Sequence, residues 1–116
     1  MFYRAVNRRT GEVIAKKVRI AQDFKSRSVG LLNRQSMGED EGLLIKPCNS
    51  IHTFFMKFPI DVLFLSESSA VVKAVHNIGP FRLSASHIKG YMTLELAAGV
   101  IQKFDIKTGD IIEIML

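Results

Sequence analysis

Four polar side chains interrupt the most apolar stretch of the chain, Ile51 to Leu65, and they are the residues best placed to do chemistry. They are His52, Thr53, Lys57 and Asp61. A carboxylate near an imidazole and an ammonium group is the kind of set that general acid–base catalysis uses. Burying a polar group without a partner costs about 2–7 kcal/mol, so each must find a partner or serve a site.

Asp61 is the strongest of these candidates. On a strand it shares one face with Leu63 and Leu65, so its carboxyl must be paired, hydrogen-bonded to backbone amides, or protonated. Two interpretations stay open: a poised general acid or base, and a buried carboxylate that fixes a loop, which is the commoner case. The expected partners are His52, Thr53, Lys57 and Arg27.

His52 and Glu95 complete the candidate set. His52 alternates with Phe54 and Met56, and a histidine on an apolar face is most often a core residue, although a catalytic or ligand role stays open. Glu95 is expected to point away from the core face, where it lines a groove or pairs with the basic hairpin predicted over residues 2–20, and a pair on the sheet surface is the commoner case. The predicted binding residues are His52, Thr53, Lys57, Asp61 and Glu95, and the catalytic candidates are Asp61 and His52.

The sequence predicts neither a metal site nor a cofactor. Cys48 is the single cysteine and precedes His52 by four residues, but the turn between them does not place both side chains on one face. The histidines show no zinc-ligand spacing, and the glycines form no phosphate-binding pattern. The role of Cys48 stays open.

Positive charge is concentrated in the first half of the chain. Residues 1–58 hold eleven Lys/Arg against five Asp/Glu, whereas residues 59–116 hold five against six. These cations are scattered along the sequence. Proteins that bind single-stranded nucleic acid interleave aromatic residues with such cations, and this sequence does not. We therefore expect a solvated basic surface and no nucleic-acid partner.

The elements that must position these residues are mainly strands. Alternation predicts strands over 2–6, 12–20, 43–45, 61–65, 70–77, 91–96 and 111–116, and two strands joined at Pro59 within 51–65, buried on both faces. Helical spacing predicts a helix from Asp23 to Arg34 and a short turn of helix over 100–104, whereas 82–89 is expected to be a polar loop. These elements predict a single domain, 1–116, of the mainly β, α+β class. It would be a small, partly open antiparallel β-barrel with the predicted helix from Asp23 to Arg34 over one opening.

Several blocks of the sequence resemble one protein family. They are Arg27-x-x-Gly30-Leu31-Leu32-x-Arg34, Gly42-Leu43-Leu44, His52 to Val62 with Phe64-Leu65, Leu94-Glu95-Leu96-Ala97-Ala98-Gly99, and Gly109-Asp110. In this order they resemble the domain of unknown function 192 family over about residues 20–114. The resemblance implies a small, mainly β, partly barrel-like fold with a single helix, and it implies no activity, cofactor or catalytic residue.

The function that these observations favour is non-catalytic binding of a small ligand or peptide at the barrel mouth or in a groove near Asp61. A hydrolase using Asp61 with His52 as acid and base is the alternative, and an interaction scaffold without a pocket is a third. No secretory signal or membrane span is present, so a cytoplasmic location without membrane contact is expected. The sequence gives no indication of the oligomeric state.

Overall fold

A curled β-sheet is the main feature of the computed structural model. The structure describes residues 1–22, 34–47, 50–52, 56–80, 82–85 and 91–116, and for 50–52 and 83–85 it describes the backbone alone. The described part contains the strands β1 (Tyr3–Asn7), β2 (Val13–Ala21), β3 (Glu41–Ile45), β4 (Ser50–His52), β5 (Ile60–Leu65), β6 (Val71–Ile78), β7 (Leu83–Ala85), β8 (Met92–Ala97) and β9 (Ile112–Met115), with the helix α1 (Val100–Lys103) between β8 and β9.

Seven of these strands form one sheet that almost closes on itself. Their order is β6-β5-β8-β3-β2-β1-β9, and each neighbouring pair is antiparallel except β2 with β3, which is parallel. The two edges meet at a bridge between Ala70 and Ile111, beside which the Val71 amide donates to the Asp110 carbonyl over 2.8 Å. This confirms the predicted partly open barrel, since curling hides the sheet edges.

Most of the predicted strands are confirmed within a residue or two. The β5–β6 hairpin is present, and all six residues of β5 are buried, as predicted for a strand covered on both faces. The prediction of a polar loop over 82–89 was wrong in part, because Leu83–Ala85 form β7, which pairs with β4 in a separate two-stranded ladder. The predicted helix from Asp23 lies almost wholly outside the described residues.

The interior of the curled sheet is a continuous apolar core. Inward side chains of all seven strands contribute to it, among them Leu44, Leu63, Leu94 and Ile112. Gly42 lies on the inner side of β3, where an added Cβ would stand 3.1 Å from a Val18 methyl carbon. Such a contact is tight, so glycine at this position lets the inner faces of β2 and β3 pack closely.

A second apolar cluster covers part of the outer face of the same sheet. It contains Leu43, Val62 and Phe64, which alternate with the inward residues of β3 and β5, and Met56 packs with them. Burial on both faces explains why β5 consists of apolar residues with one exception, Asp61.

The two ends of the barrel differ. α1 follows the C-terminal end of β8, and its Val100 and Ile101 are buried in the interior core, so one end is closed. At the opposite end β2 and β3 end, β8 begins and a turn joins β5 to β6. In the part of the chain that the structure describes, this second end holds an open cavity.

Candidate functional site

The cavity at the open end of the barrel is a candidate ligand site. Its volume is about 460 Å³, within the roughly 300–1,000 Å³ typical of small-molecule pockets. We call this cavity the barrel mouth. It is lined by Tyr3, Ile20, Gln22, Leu44, Lys46, Glu67, Ser69, Tyr91, Met92 and Ile114.

The lining of the barrel mouth combines an apolar floor with a polar rim. The floor continues the interior core through Leu44 and Met92, both buried, with the half-buried Ile20 and Ile114 beside them. The rim is formed by the remaining lining residues, which carry polar groups: Tyr3, Tyr91, Ser69, Gln22 and the charged Lys46 and Glu67. An apolar surface with a few convergent polar groups is the usual composition of a site for a small amphipathic molecule.

Lys46 and Glu67 are the charged residues of the rim, and neither forms an ion pair with a residue in the described part of the chain. Lys46 follows β3 and is half-buried, with its backbone amide donating to the Ala21 carbonyl over 3.1 Å. Glu67 is exposed in the turn between β5 and β6. The rim therefore offers one cation and one anion to a ligand.

Sequence reasoning named the mouth of a barrel as a possible site but none of these lining residues. They come from six strands or strand ends that are far apart in the chain, and no motif marks them.

Asp61 lies away from the barrel mouth, at the end of the barrel that α1 closes. It is 1% exposed, and its carboxylate accepts three backbone hydrogen bonds. One carboxylate oxygen accepts from the Asn77 amide at 2.7 Å, and the other accepts from the Gly99 and Ile101 amides at 3.0 and 2.9 Å. The partners that the structure describes are thus main-chain groups of β6 and of the start of α1.

This arrangement explains why an aspartate stands in a buried strand. The first amides of a helix have no partner within the helix, and the positive end of the helix favours a negative charge. Gly99, at φ 96°, turns the chain from β8 into α1, and its own position offers no side chain as a cap. Asp61 supplies the cap from the neighbouring strand and fixes the closed end of the barrel.

Glu95 is buried in the outer face of the sheet, contrary to the expected surface position. It lies opposite Val62 of β5 and Leu43 of β3, and it is 4% exposed. Burial raises the pKa of the Glu95 carboxyl to about 7, since no described residue donates a hydrogen bond or a positive charge to it. The expectation failed because the second apolar cluster covers a face that alternation alone assigns to solvent.

The structure does not bring Asp61 and Glu95, two of the predicted binding residues, together in one hollow. Asp61 lies opposite Leu96, one position along from Glu95, so the two carboxyl groups point to opposite faces of the sheet. Lys57 is exposed at the surface. Thr53, Cys48 and the side chain of His52 lie outside what the structure describes, so their place relative to Asp61 stays a prediction.

Among the described residues, no group of three or more histidine, cysteine, aspartate or glutamate side chains is arranged to hold a metal ion. In the same part of the chain, no helix is both long enough and apolar enough to cross a bilayer.

Comparison with known proteins shows the family. The model of DUF192, described as an uncharacterised ACR, matches residues 5–114, and the chain belongs to this family. A search of curated proteins found no match.

Two solved structures share the fold. One is a "putative transcription regulator" from Sinorhizobium meliloti 1021, with 24% identity and a TM-score of 0.84, covering 97% of this chain and 91% of that one. The other is a protein of unknown function from Novosphingobium aromaticivorans DSM 12444, with 21% identity and a TM-score of 0.84, covering 96% of this chain and 83% of that one. At these identities the likeness establishes the fold alone.

Proposed function

We propose that this member of the domain of unknown function 192 family is a non-catalytic binding module that holds a small amphipathic ligand in the barrel mouth. The observation that carries the proposal is the open cavity of about 460 Å³, with an apolar floor and a polar rim, at the end of the barrel away from α1. The mouths of β-barrels are a common place for such sites.

The construction of the cavity also supports binding. Its lining residues belong to strands, to the positions directly beside strands that Gln22, Lys46 and Tyr91 occupy, or to the tight turn between β5 and β6. In that turn the Ser69 amide donates to the Ser66 carbonyl over 2.9 Å. Residues held by a sheet keep their positions when a ligand arrives, so less ordering entropy opposes binding. The two tyrosines add large amphipathic surfaces with few rotatable bonds.

The geometry of Asp61 favours binding over the hydrolase alternative. A general base must reach the proton that it removes, directly or through one water molecule. Asp61 is buried, is held by three main-chain amides and stands at the closed end of the barrel. Its contacts account for its place in the sequence as a structural residue.

The proposal is tested with 8-anilinonaphthalene-1-sulfonate, an amphipathic anion whose fluorescence rises on transfer to an apolar site. We expect the folded protein to bind one molecule saturably and Gln22→Trp, which places a large side chain at the exposed rim, to weaken binding at least about tenfold. Gln102→Trp makes the same change on the exposed side of α1 at the closed end and serves as the control. Equal binding by the two variants, or no saturable binding to the native protein, would contradict the proposal.

A further inference from the structure

We propose that the ligand of the barrel mouth is a free amino acid with an apolar side chain, held at its carboxylate by Lys46 and at its ammonium group by Glu67. This inference rests on the proposed function and adds the chemical class of the ligand. It starts from the two opposite charges of the rim, neither of which has an ion-pair partner among the described residues.

The fold sets the distance between these charges. Lys46 follows β3 and Glu67 follows β5, and β8 lies between those two strands in the sheet. Two strand spacings amount to about 10 Å between the backbones. Long lysine and glutamate side chains can close this gap from both sides onto a molecule that carries its two charges only a few ångströms apart.

Both side chains are placed to face the cavity. Lys46 stands two residues beyond Leu44, so alternation directs it to the inner side of the sheet, and its backbone is held by Ala21. Glu67 is carried by a turn in which the Ser66 amide donates to the Ala70 carbonyl over 2.9 Å. The two charges thus stand on fixed backbone at different points of the rim.

A ligand with a single charge fits this rim less well than a zwitterion. An anion would pair with Lys46 and be repelled by Glu67. A cation would pair with Glu67 and be repelled by Lys46. A free amino acid satisfies both groups, and its apolar side chain can lie on the floor formed by Leu44, Met92 and Ile114. The flanking Tyr3 and Tyr91 favour an aromatic or large aliphatic side chain.

The test is a set of four phenylalanine derivatives titrated by calorimetry: the free amino acid, its N-acetyl form, its amide, and the N-acetyl amide. We expect the free amino acid to bind most tightly, with each blocked charge weakening binding about threefold or more. Lys46→Gln should remove the preference for a free carboxylate, and Glu67→Gln should remove the preference for a free ammonium group. Lys107→Gln and Glu12→Gln, exposed and outside the cavity lining, should leave both preferences intact.

The outcomes separate this inference from the proposed function. If the fluorescent anion binds at the mouth but none of the four derivatives binds, or all four bind equally, the amino-acid inference is overturned and the binding module stands. If Lys46→Gln and Glu67→Gln change all four affinities alike, the two side chains do not bind the carboxylate and ammonium groups of the ligand. This result also overturns the amino-acid inference. If neither probe binds, both proposals fail.

Discussion

Asp61 shows how a polar residue in an apolar strand can have a structural role. Its carboxylate joins three elements, because it belongs to β5 and accepts hydrogen bonds from β6 and from the start of α1. Hydrogen bonds to a charged group are worth about 1.5–3 kcal/mol each, and leaving buried amides without a partner adds a desolvation cost. These contacts give Asp61 a role in stability, and the residue is not among those that line the barrel mouth.

We expect Asp61→Asn to lower the free energy of unfolding by about 2–4 kcal/mol. The asparagine side chain has the same shape, but its NH₂ group would replace an accepting oxygen and face backbone amides that are themselves donors. Urea denaturation measures this difference. Asp105→Asn, which alters an exposed ion pair with Lys107, should change stability by less than about 0.5 kcal/mol. A neutral Asp61→Asn would show that the three contacts do not stabilise the closed end of the barrel.

Glu95 poses the opposite case, a buried carboxyl that costs stability at neutral pH. Because burial raises its pKa from 4.5 to about 7, the folded protein holds a proton between these values that the unfolded chain has lost. The free energy of unfolding should therefore fall as the pH rises through this range. At about 1.4 kcal/mol per pKa unit, the full loss is about 3 kcal/mol.

Glu95→Gln should remove this pH dependence, so that the variant gains stability relative to the native protein between about pH 5 and pH 8. Thermal or urea unfolding at several pH values measures the change. Glu12→Gln, at an exposed position, is the matched control and should follow the native profile. Parallel profiles for the native protein and Glu95→Gln would show that Glu95 is paired in the folded state.

For single residues, the sequence indicated which polar side chains in apolar strands need partners, but not which partners they have. Alternation correctly gave the face that Asp61 shares with Leu63 and Leu65. It could not show that main-chain amides of residues 16 to 40 positions away would converge on that carboxylate. Nor could it show that the other face, which carries Glu95, is buried beneath a second apolar cluster.

Among the elements, the closing strand β9 is tied to the first hairpin by a buried polar network around Asp110. The Arg9 guanidinium donates to one Asp110 carboxylate oxygen at 2.7 Å, and the Asn7 side-chain amide donates to the other at 2.9 Å. The Lys107 backbone amide donates to that second oxygen, also at 2.9 Å. These contacts hold the turn before β9 against the β1–β2 hairpin and help to close the sheet.

The hydrogen bond from Arg9, with those from Lys107 and Asn7, holds the pKa of the Asp110 carboxyl well below its ordinary 3.8. A lowered pKa contributes stability above the ordinary value, and this stability is lost as the pH falls below it. We expect Asp110→Asn to lower the free energy of unfolding by about 1–3 kcal/mol at pH 7, because charge-assisted hydrogen bonds are lost.

The difference between Asp110→Asn and the native protein should shrink below about pH 4, where the carboxyl of the unfolded chain takes up a proton that the folded protein does not bind. Urea denaturation at pH 7 and pH 3 measures both values. Glu113→Gln breaks the more exposed ion pair with Arg8 and should cost less than about 1 kcal/mol. A difference that stays constant from pH 7 to pH 3 would contradict the role given to the Asp110 charge.

The elements were more predictable than the contacts between them. Period-two alternation and glycine-containing turns located most strands, the β5–β6 hairpin and the short helix α1. β7 was not predicted, because a strand of three residues within a polar segment is too short to show a clear alternation of apolar and polar residues. The turn at Gly109 and Asp110 was expected, but its link to Arg9 joins residues 101 positions apart and leaves no local signal.

On the scale of the whole molecule, one sheet curls around one core and leaves its two ends unequal. α1 and the Asp61 contacts close one end, whereas the strand ends at the other surround a cavity with one positive and one negative side chain on its rim. The family resemblance anticipated the barrel but not this asymmetry, which depends on strand order and register.

The most direct test of a ligand site at the open end is a ¹⁵N-resolved NMR titration of the native protein with 8-anilinonaphthalene-1-sulfonate. The largest saturable shifts should fall on the amides of Tyr3, Gln22, Lys46 and Tyr91, which line the barrel mouth, while those of Gly99 and Ile101 beside Asp61 stay unchanged. Shifts centred on Gly99 and Ile101, or no saturable shifts at the mouth, would contradict this account.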